Sequence, residues 1–395
     1  MHRKINLKVV LVQLCAITCV FGEKMNTYIP GASIAFVIFG MVLVFLNLLA
    51  PNHSYRLLDK YDRINLRLIE WIVFFSLLIS LFKILLGYST SFFDELRQFF
   101  LSLIALNIVA MMIKDRRLIP LFMKLACYSF AITFVASYGL MYGMENRHTG
   151  FFKDPNSMGR VAILCVFFAI YLLANKKEHR LRHKLPIAVS LMISVSAFFL
   201  SGYRGCFVGL VACALWLVTI SSLSKKRKIQ IFAAGVVGIL LLCEVVMSNK
   251  ELSQMVSRYL GTNEIGDGYS ENIRLVMWKE YLKNIGDYFL IGNFDGQPES
   301  YFLLYRSAHN SLIEMMVTHG VMVFIPFIVV QIRFFIKKTN KDFLAITMKG
   351  LFITLFVSSM FISTNDEKIS WLSLIMMLIP IVTLRPSDTH LIGIT

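Results

Sequence analysis

Apolar runs of roughly 16 to 22 residues recur along the chain with short polar breaks between them, and a bilayer core calls for helices of about 20 such residues. Read in order, they predict about twelve spans: Leu7 to Phe21, Gly31 to Ala50, Ile69 to Leu86, Phe99 to Ile113, Ile119 to Met141, Ser157 to Leu173, Leu185 to Leu200, Gly205 to Ile220, Ile229 to Met247, Leu312 to Phe334, Met348 to Ser363 and Ile369 to Leu384. The expected fold is all-α, a polytopic integral membrane protein. One break is far longer than the others. It divides the chain into residues 1–247 with helices 1 to 9, a large outer loop at 248–307, and residues 308–395 with helices 10 to 12 and a cytoplasmic tail.

The loop has a pattern of its own. Lys250 to Leu260 predicts a short helix, and Gly261-Thr262-Asn263-Glu264-Ile265-Gly266-Asp267-Gly268 an acidic turn. After a Ser270 cap, Glu271 to Ile285 reads as an amphipathic helix with Ile273, Val276, Met277, Tyr281 and Ile285 on its apolar side. Arg274 and Trp278, four apart, share a face that can lie on the bilayer and hold a charge over a lipid headgroup. Gly286 and Ile291-Gly292-Asn293 then turn the chain towards the tenth span.

Composition agrees with the pattern: 57% hydrophobic residues and a mean hydropathy of +0.66 exclude a soluble domain. A net charge of +16 would suggest nucleic acid in a soluble protein, but its placement gives it another meaning. With the N-terminus in the cytoplasm, alternate loops collect clusters such as Arg56, Lys60, Arg63 and Arg67, then Lys176, Lys177, Arg180, Arg182 and Lys184, then Lys225 to Lys228, while the other side is net acidic. This positive-inside bias places both termini in the cytoplasm and removes nucleic acid as a partner. No small-x-small cleavage pattern follows the first apolar run, so that helix is expected to be retained. The seven cysteines lie in or beside spans without metal-ligand spacing and read as small packing residues.

Three polar constellations fall on the outer side. Arg147, His148, Lys153, Asp154 and Asn156 gather before the sixth span, which itself begins with Arg160. Asp154-Pro155-Asn156-Ser157 is a turn and helix start, with Asn156 or Ser157 as the expected cap. The cluster reads either as a capped helix with a solvated loop or as a positive patch that touches phosphate or sugar. Ser201-Gly202-Tyr203-Arg204-Gly205 joins spans seven and eight in a tight turn, where glycines let a bulky group approach the backbone. Arg204 is an interfacial anchor or a forked donor for phosphate oxygens. With Ser307 as a cap, His309 and Asn310 would sit in the first turn of the tenth helix. There the helix dipole disfavours a protonated imidazole and leaves His309 able to accept a proton; the alternative is a histidine in an interfacial cap. Lys83 and Glu244 are expected to snorkel, and His319 to pack between helices.

Taken in order, Ser201-Gly202-Tyr203-Arg204-Gly205, then Glu271-Asn272-Ile273-Arg274 with Trp278 four on, then Ala308-His309-Asn310-Ser311 with Glu314 and His319-Gly320, resemble the signature of the O-antigen polymerase and ligase superfamily, of Wzy and WaaL type. The likeness spans roughly Arg147 to Phe335, and the Asp154-Pro155-Asn156 turn is similar to a stretch often seen in it. Tyr203 stands where the family often has Ser or Thr, and Ile291-Gly292-Asn293 only partly keeps a Gly-x-Gly turn. The resemblance implies glycosyl transfer at the outer face of a bacterial cytoplasmic membrane. The donor would be an undecaprenyl-pyrophosphate-linked oligosaccharide and the acceptor a hydroxyl of a second lipid-linked molecule, with no metal, nucleotide or other cofactor. In the expected roles Arg204 and Arg274 hold the diphosphate and His309 is the base. Arg147, Lys153, Asn156, Arg160, Tyr203, Trp278, Arg306 and Asn310 are expected to bind substrate. The expected partners are the lipid bilayer, the lipid-linked donor and acceptor, a chain-length regulator and a flippase.

The residues agree independently, since the chain has neither an Asp-x-Asp for a metal-bound nucleotide sugar nor a Gly-x-x-x-x-Gly-Lys-Ser/Thr phosphate loop. A polymerase extending O-antigen or capsule is favoured over a ligase acting on lipid A core, and the acceptor separates the two. A polysaccharide flippase or secondary transporter is the remaining alternative. Matched halves and mid-membrane polar residues would mark it, and the chain shows no internal repeat and few charges within its spans.

Overall fold

The computed structural model describes residues 6–50, 58–86, 92–141, 149–174, 181–219, 224–226, 229–230, 268–292, 310–338, 342–361 and 368–379, and these are helical with no strand among them. α1 (Leu7–Thr18), α2 (Ala35–Leu49), α3 (Lys60–Leu85), α4 (Phe92–Lys114), α5 (Leu118–Met141), α6 (Pro155–Ala174), α7 (Leu181–Ser201) and α8 (Arg204–Thr219) follow the first eight predicted spans. Later come α9 (Gly268–Lys283), α10 (Ser311–His319), α11 (Val321–Ile336), α12 (Phe343–Ser359) and α13 (Lys368–Met376). Among the described residues, six helical stretches are long and apolar enough to cross a membrane, and α1, α8, α11 and α12 are shorter apolar helices. The protein is a polytopic membrane protein. The predicted ninth span beyond residue 230, the short helix at 250–260 and the tail beyond Ile379 lie outside the described residues.

The C-terminal helices insert among the earlier ones. α11 packs on α3, α13 on α4, and α12 on both α8 and α6. Small residues allow this: Gly209 of α8 lies so close to the Thr354 carbonyl of α12 that a Cβ there would collide with it, the kind of backbone approach on which helix association in lipid depends. Leu48, Leu85, Ile132 and Met192 face outward, an apolar exterior that lipid tolerates and water does not. The six described cysteines are buried and free, as small packing residues should be.

Four expectations need correction. The predicted tenth span is two helices, α10 and α11, because Gly320 adopts φ 67° and ψ −171°, a conformation that breaks the helix and suits glycine. α9 begins at Gly268, so Ser270 lies in its first turn and does not cap it. Met277 and Tyr281 of that helix are buried against Met316 and Val317 of α10, and Trp278 packs on the same cluster; its ring lies against protein. Lys83 does not snorkel. It is 2% exposed and its ammonium donates to the Thr318 carbonyl at 2.6 Å. α10 ends there, with carbonyls that lack intrahelical donors and a dipole that favours a cation.

Charges are also buried at the other end of the bundle, more than the spans suggested. Asp62, fully buried near the start of α3, accepts from the Lys337 ammonium through both oxygens at 2.8 and 2.7 Å. Arg333 donates to the Asn65 side chain at 2.5 Å and to the Tyr61 carbonyl at 3.0 Å. This knot fixes α11 against α3. Removing one partner of a buried pair leaves the other charge uncompensated, at a cost of about 3 to 5 kcal/mol. Asp62→Ala should therefore lower the thermal unfolding midpoint in detergent strongly. Asp62→Ala combined with Lys337→Met should recover much of that loss, and a double variant no better than the single one would show that the pair does not carry the contact.

Candidate functional site

Proline has no N–H to lose at the first helical position, and Pro155 opens α6. Its cap is Asp154, whose carboxylate accepts from the Ser157 N–H at 3.2 Å and from the Asn156 amide at 3.0 Å. The expected cap, Asn156 or Ser157, is displaced to Asp154, two or three residues earlier, because Pro155 takes the first helical position. Lys153 is exposed, and its backbone N–H donates to Glu23 at 3.3 Å. Arg160 lies deeper along α6 and is only 2% exposed.

The turn between α7 and α8 packs directly on this helix start. Ser201 donates to the Phe198 carbonyl at 2.6 Å and accepts from the Tyr203 N–H at 3.3 Å, while Gly202 takes φ 60°. A Cβ on Gly159 would stand 2.7 Å from the Ser201 Oγ and 2.9 Å from the Tyr203 Cβ, and one on Gly205 would stand 2.8 Å from the Tyr203 ring. The bulky group that the glycines admit is Tyr203 itself. Its side chain is buried and its hydroxyl donates to the Ser358 carbonyl at 3.0 Å, in the last turn of α12. Arg204 follows as the first residue of α8 and is half-buried.

α10 starts beside the same end of α12. Asn310 is its cap: the backbone is extended there, and Oδ1 accepts from the Leu312 and Ile313 N–H groups at 3.0 and 3.2 Å. Ser307 was expected in that place. Both residue types cap helices, and Asn310 serves two N–H groups at once. His309, the residue before that cap in the sequence, lies outside the described residues, as do Arg306 and Arg147, and α9 is described at Arg274 without that side chain. Glu314 is buried in the first turn of α10, where a carboxylate suits the dipole. Ser311 lines a cavity of about 60 Å³ together with Gln331 of α11, Ser359 of α12, and Ser370 and Trp371 of α13.

The start of α6 packs on the turn before α8, that turn bonds to the end of α12, and the start of α10 shares a cavity with the end of α12. A helix start presents N–H groups and a partial positive charge. Asp154 and Asn310 already cap the starts of α6 and α10, and Glu314 puts a buried carboxylate in the first turn of α10, so among these starts it is the Arg204 guanidinium of α8 that favours an anion with several oxygens.

Residues 189–328 match the family model Wzy_C, O-antigen ligase. The match supports the O-antigen polymerase/ligase superfamily. The Wzy_C segment runs from within α7 to within α11 and takes in Tyr203, Arg204, Arg274, Trp278, Arg306, His309 and Asn310. Arg147, Lys153, Asn156 and Arg160 precede it. A search of curated proteins finds no match. The Wzy_C domain supports a function of O-antigen ligase or polymerase type, that is, a glycosyltransferase-like membrane enzyme with lipid-linked polysaccharide substrates.

Sequence reasoning missed the end of α12. Ser358 and Ser359 close an apolar run and gave no signal beyond being polar, yet the Ser358 carbonyl holds Tyr203 and Ser359 shares a cavity with Ser311. Tyr203→Phe should remove one of two donors to that carbonyl, the other being the Phe361 N–H at 3.1 Å, and cost about 0.5 to 1.5 kcal/mol. Thermal unfolding in detergent reads this directly, and an unchanged midpoint would mean that the hydrogen bond holds nothing in place.

Proposed function

We propose that the chain is a repeat-unit polymerase, joining undecaprenyl-pyrophosphate-linked oligosaccharides into O-antigen or capsular polysaccharide. The observation that carries this reading is that the Tyr203–Arg204 turn and the start of α10, both within the segment that matches Wzy_C, are set against the end of α12, the first by a hydrogen bond to Ser358 and the second through a shared cavity. A lipid-linked diphosphate is the anion that such a site suits.

In this reading the acceptor hydroxyl attacks the anomeric carbon of the donor sugar, and the bond from that carbon to the diphosphate oxygen breaks. The diphosphate leaves with the electron pair, while His309 takes the hydroxyl proton, so the anomeric centre is inverted. Arg204 and Arg274 stabilise the charge that grows on the leaving group. Asn310 fixes the helix start next to His309, and Tyr203 fixes Arg204. Arg160, Asn156 and Lys153 at the start of α6, with Arg147 and Arg306, supply further contacts to phosphate or sugar, and Trp278 holds α9 against α10. Residues 248–307 form an outer element between the helices of 1–247 and those of 308–395. The excess of basic residues in the alternate loops assigns the Arg204 end to the outer face of the cytoplasmic membrane.

The second reading is the ligase, favoured by the match of residues 189–328 to the O-antigen ligase family model. It differs in its acceptor, which would be lipid A core. The test is polymerisation by purified protein in detergent with the host's lipid-linked repeat unit and no added metal or nucleotide. Wild type should give a ladder of longer glycans. His309→Ala should lose about 10² to 10⁴-fold in rate and Arg204→Ala about 10² to 10³-fold. Transfer only when lipid A core is supplied would establish the ligase, and full activity in both variants would remove these residues from the site.

A further inference from the structure

The cavity shared by Ser311 and Ser359 has a polar wall that the proposed chemistry leaves unused. Gln331 lies within the apolar helix α11, is 6% exposed and lines this cavity. Among the described residues no hydrogen bond engages its amide. An amide carries two donors and an acceptor, and leaving them unmet inside an apolar bundle is costly. Two residues on, the Arg333 side chain bonds to Asn65 and Tyr61, so the isolation of Gln331 is particular to the cavity.

The polar groups that face Gln331 across the cavity are hydroxyls, those of Ser311, Ser359, Ser370 and Ser373. Ser359 and Ser373 donate to the Phe356 and Ser370 carbonyls in their own helices, and their oxygens can still accept. Among the described walls there is no charged side chain, and Met315, Phe352 and Leu374 make the apolar side. A phosphate or carboxylate would lose its hydration here without a counter-charge. The occupant that fits is neutral, able both to donate and to accept, and apolar at one end. The volume of about 60 Å³, at about 10 to 15 Å³ for each water-sized group, holds about four such groups. An acetamido group has four: nitrogen, carbonyl carbon, oxygen and methyl. Its N–H and carbonyl pair reciprocally with the carbonyl and NH₂ of Gln331, and its methyl meets the apolar wall.

We propose that this cavity is a sugar-specificity subsite, in which Gln331 binds the acetamido group of an N-acetylated sugar of the lipid-linked donor. The inference rests on the reading of the Arg204 end as the donor site. Ser359 follows Ser358, which holds Tyr203, and Ser311 follows Asn310, the cap of α10. The cavity therefore adjoins both elements between which the anomeric carbon is held in that reading. In a 2-acetamido sugar the acetamido group stands on the carbon bonded to the anomeric one. Only this substituent enters, past the half-buried Phe356 and Ser370 at the edge, and the sugar ring stays outside.

The test is native mass spectrometry of the purified full chain with three probes: undecaprenyl diphosphate, the same lipid carrying N-acetylglucosamine, and the same lipid carrying glucose, which has a hydroxyl in place of the acetamido group. Wild type should bind all three and prefer N-acetylglucosamine to glucose about tenfold, the worth of two modest hydrogen bonds. Gln331→Leu, apolar and of similar size, should keep the unfolding midpoint and the binding of undecaprenyl diphosphate but lose the preference. Ser370→Val, which narrows the cavity from its edge, should reduce the preference as well. Equal binding of the two sugar lipids by wild type would assign the cavity to water alone and overturn the subsite, as would a preference unchanged in both variants; the donor site would stand in either case. A wild type that does not bind undecaprenyl diphosphate would overturn the donor site itself and the subsite with it.

Discussion

The hydrogen bond from the Tyr203 hydroxyl to the Ser358 carbonyl is the contact on which the arrangement of helix ends depends. The last carbonyls of a helix have no donor within it, and in an apolar bundle water does not supply one. The Ser358 carbonyl already accepts from the Phe361 N–H at 3.1 Å; Tyr203 adds a second donor from the turn before α8, and so ties that turn, with Arg204 as its next residue, to the end of α12. The surrounding sequence makes this possible. Gly159 lets α6 close on the turn, Gly205 leaves room for the tyrosine ring, and Gly209 brings α8 against the backbone of α12 one turn further on. Larger residues at any of these positions would hold apart elements that now share one region.

α10 is held by a different logic, because it is too short to gain much from its own hydrogen bonds. Asn310 satisfies two N–H groups at its start, and Lys83 donates to the Thr318 carbonyl at its end. Gly320 breaks it from α11, and Gly292, at φ 77°, packs against the Thr318 carbonyl. A continuous helix from Leu312 to Phe334 would have had its start fixed by the packing of the whole length against α3. The break uncouples the two parts, so the start of α10 can sit beside α12 while α11 remains locked to α3 by Arg333 and Lys337. Discontinuous membrane helices place their polar ends inside a bundle in this way.

Much of this was legible in the chain, and the limits have physical causes. Apolar runs of membrane length located α1 to α8 because no other structure satisfies the backbone of such a run in lipid. The turn at 201–205 was visible because glycine and a cation interrupt an apolar pattern. The break at Gly320 was not visible, since a glycine in an apolar run also serves close packing and only its φ separates the two uses. Ser307 and Asn310 are both good caps, so the register of α10 could not be chosen from residue type. Lys83 read as a snorkelling lysine because its acceptor, Thr318, lies 235 residues away in the chain, and no local pattern carries that distance.

The buried charges also bear on what kind of membrane protein this is. Among the described residues they cluster towards the ends of the bundle: Lys83, Arg160 and Glu314 towards the Arg204 end, Asp62 and Lys349 towards the other. Lys83 and Asp62 each bond to groups on helices distant in sequence. A transport pathway needs polar groups near the middle, able to change partners as the two sides open in turn. Charges that tie α3 to α10 at one end and α3 to α11 at the other oppose such movement, because each rearrangement would strand a buried ion. The same ties suit a site built at one surface, where precision in the placement of helix ends matters more than passage through the core.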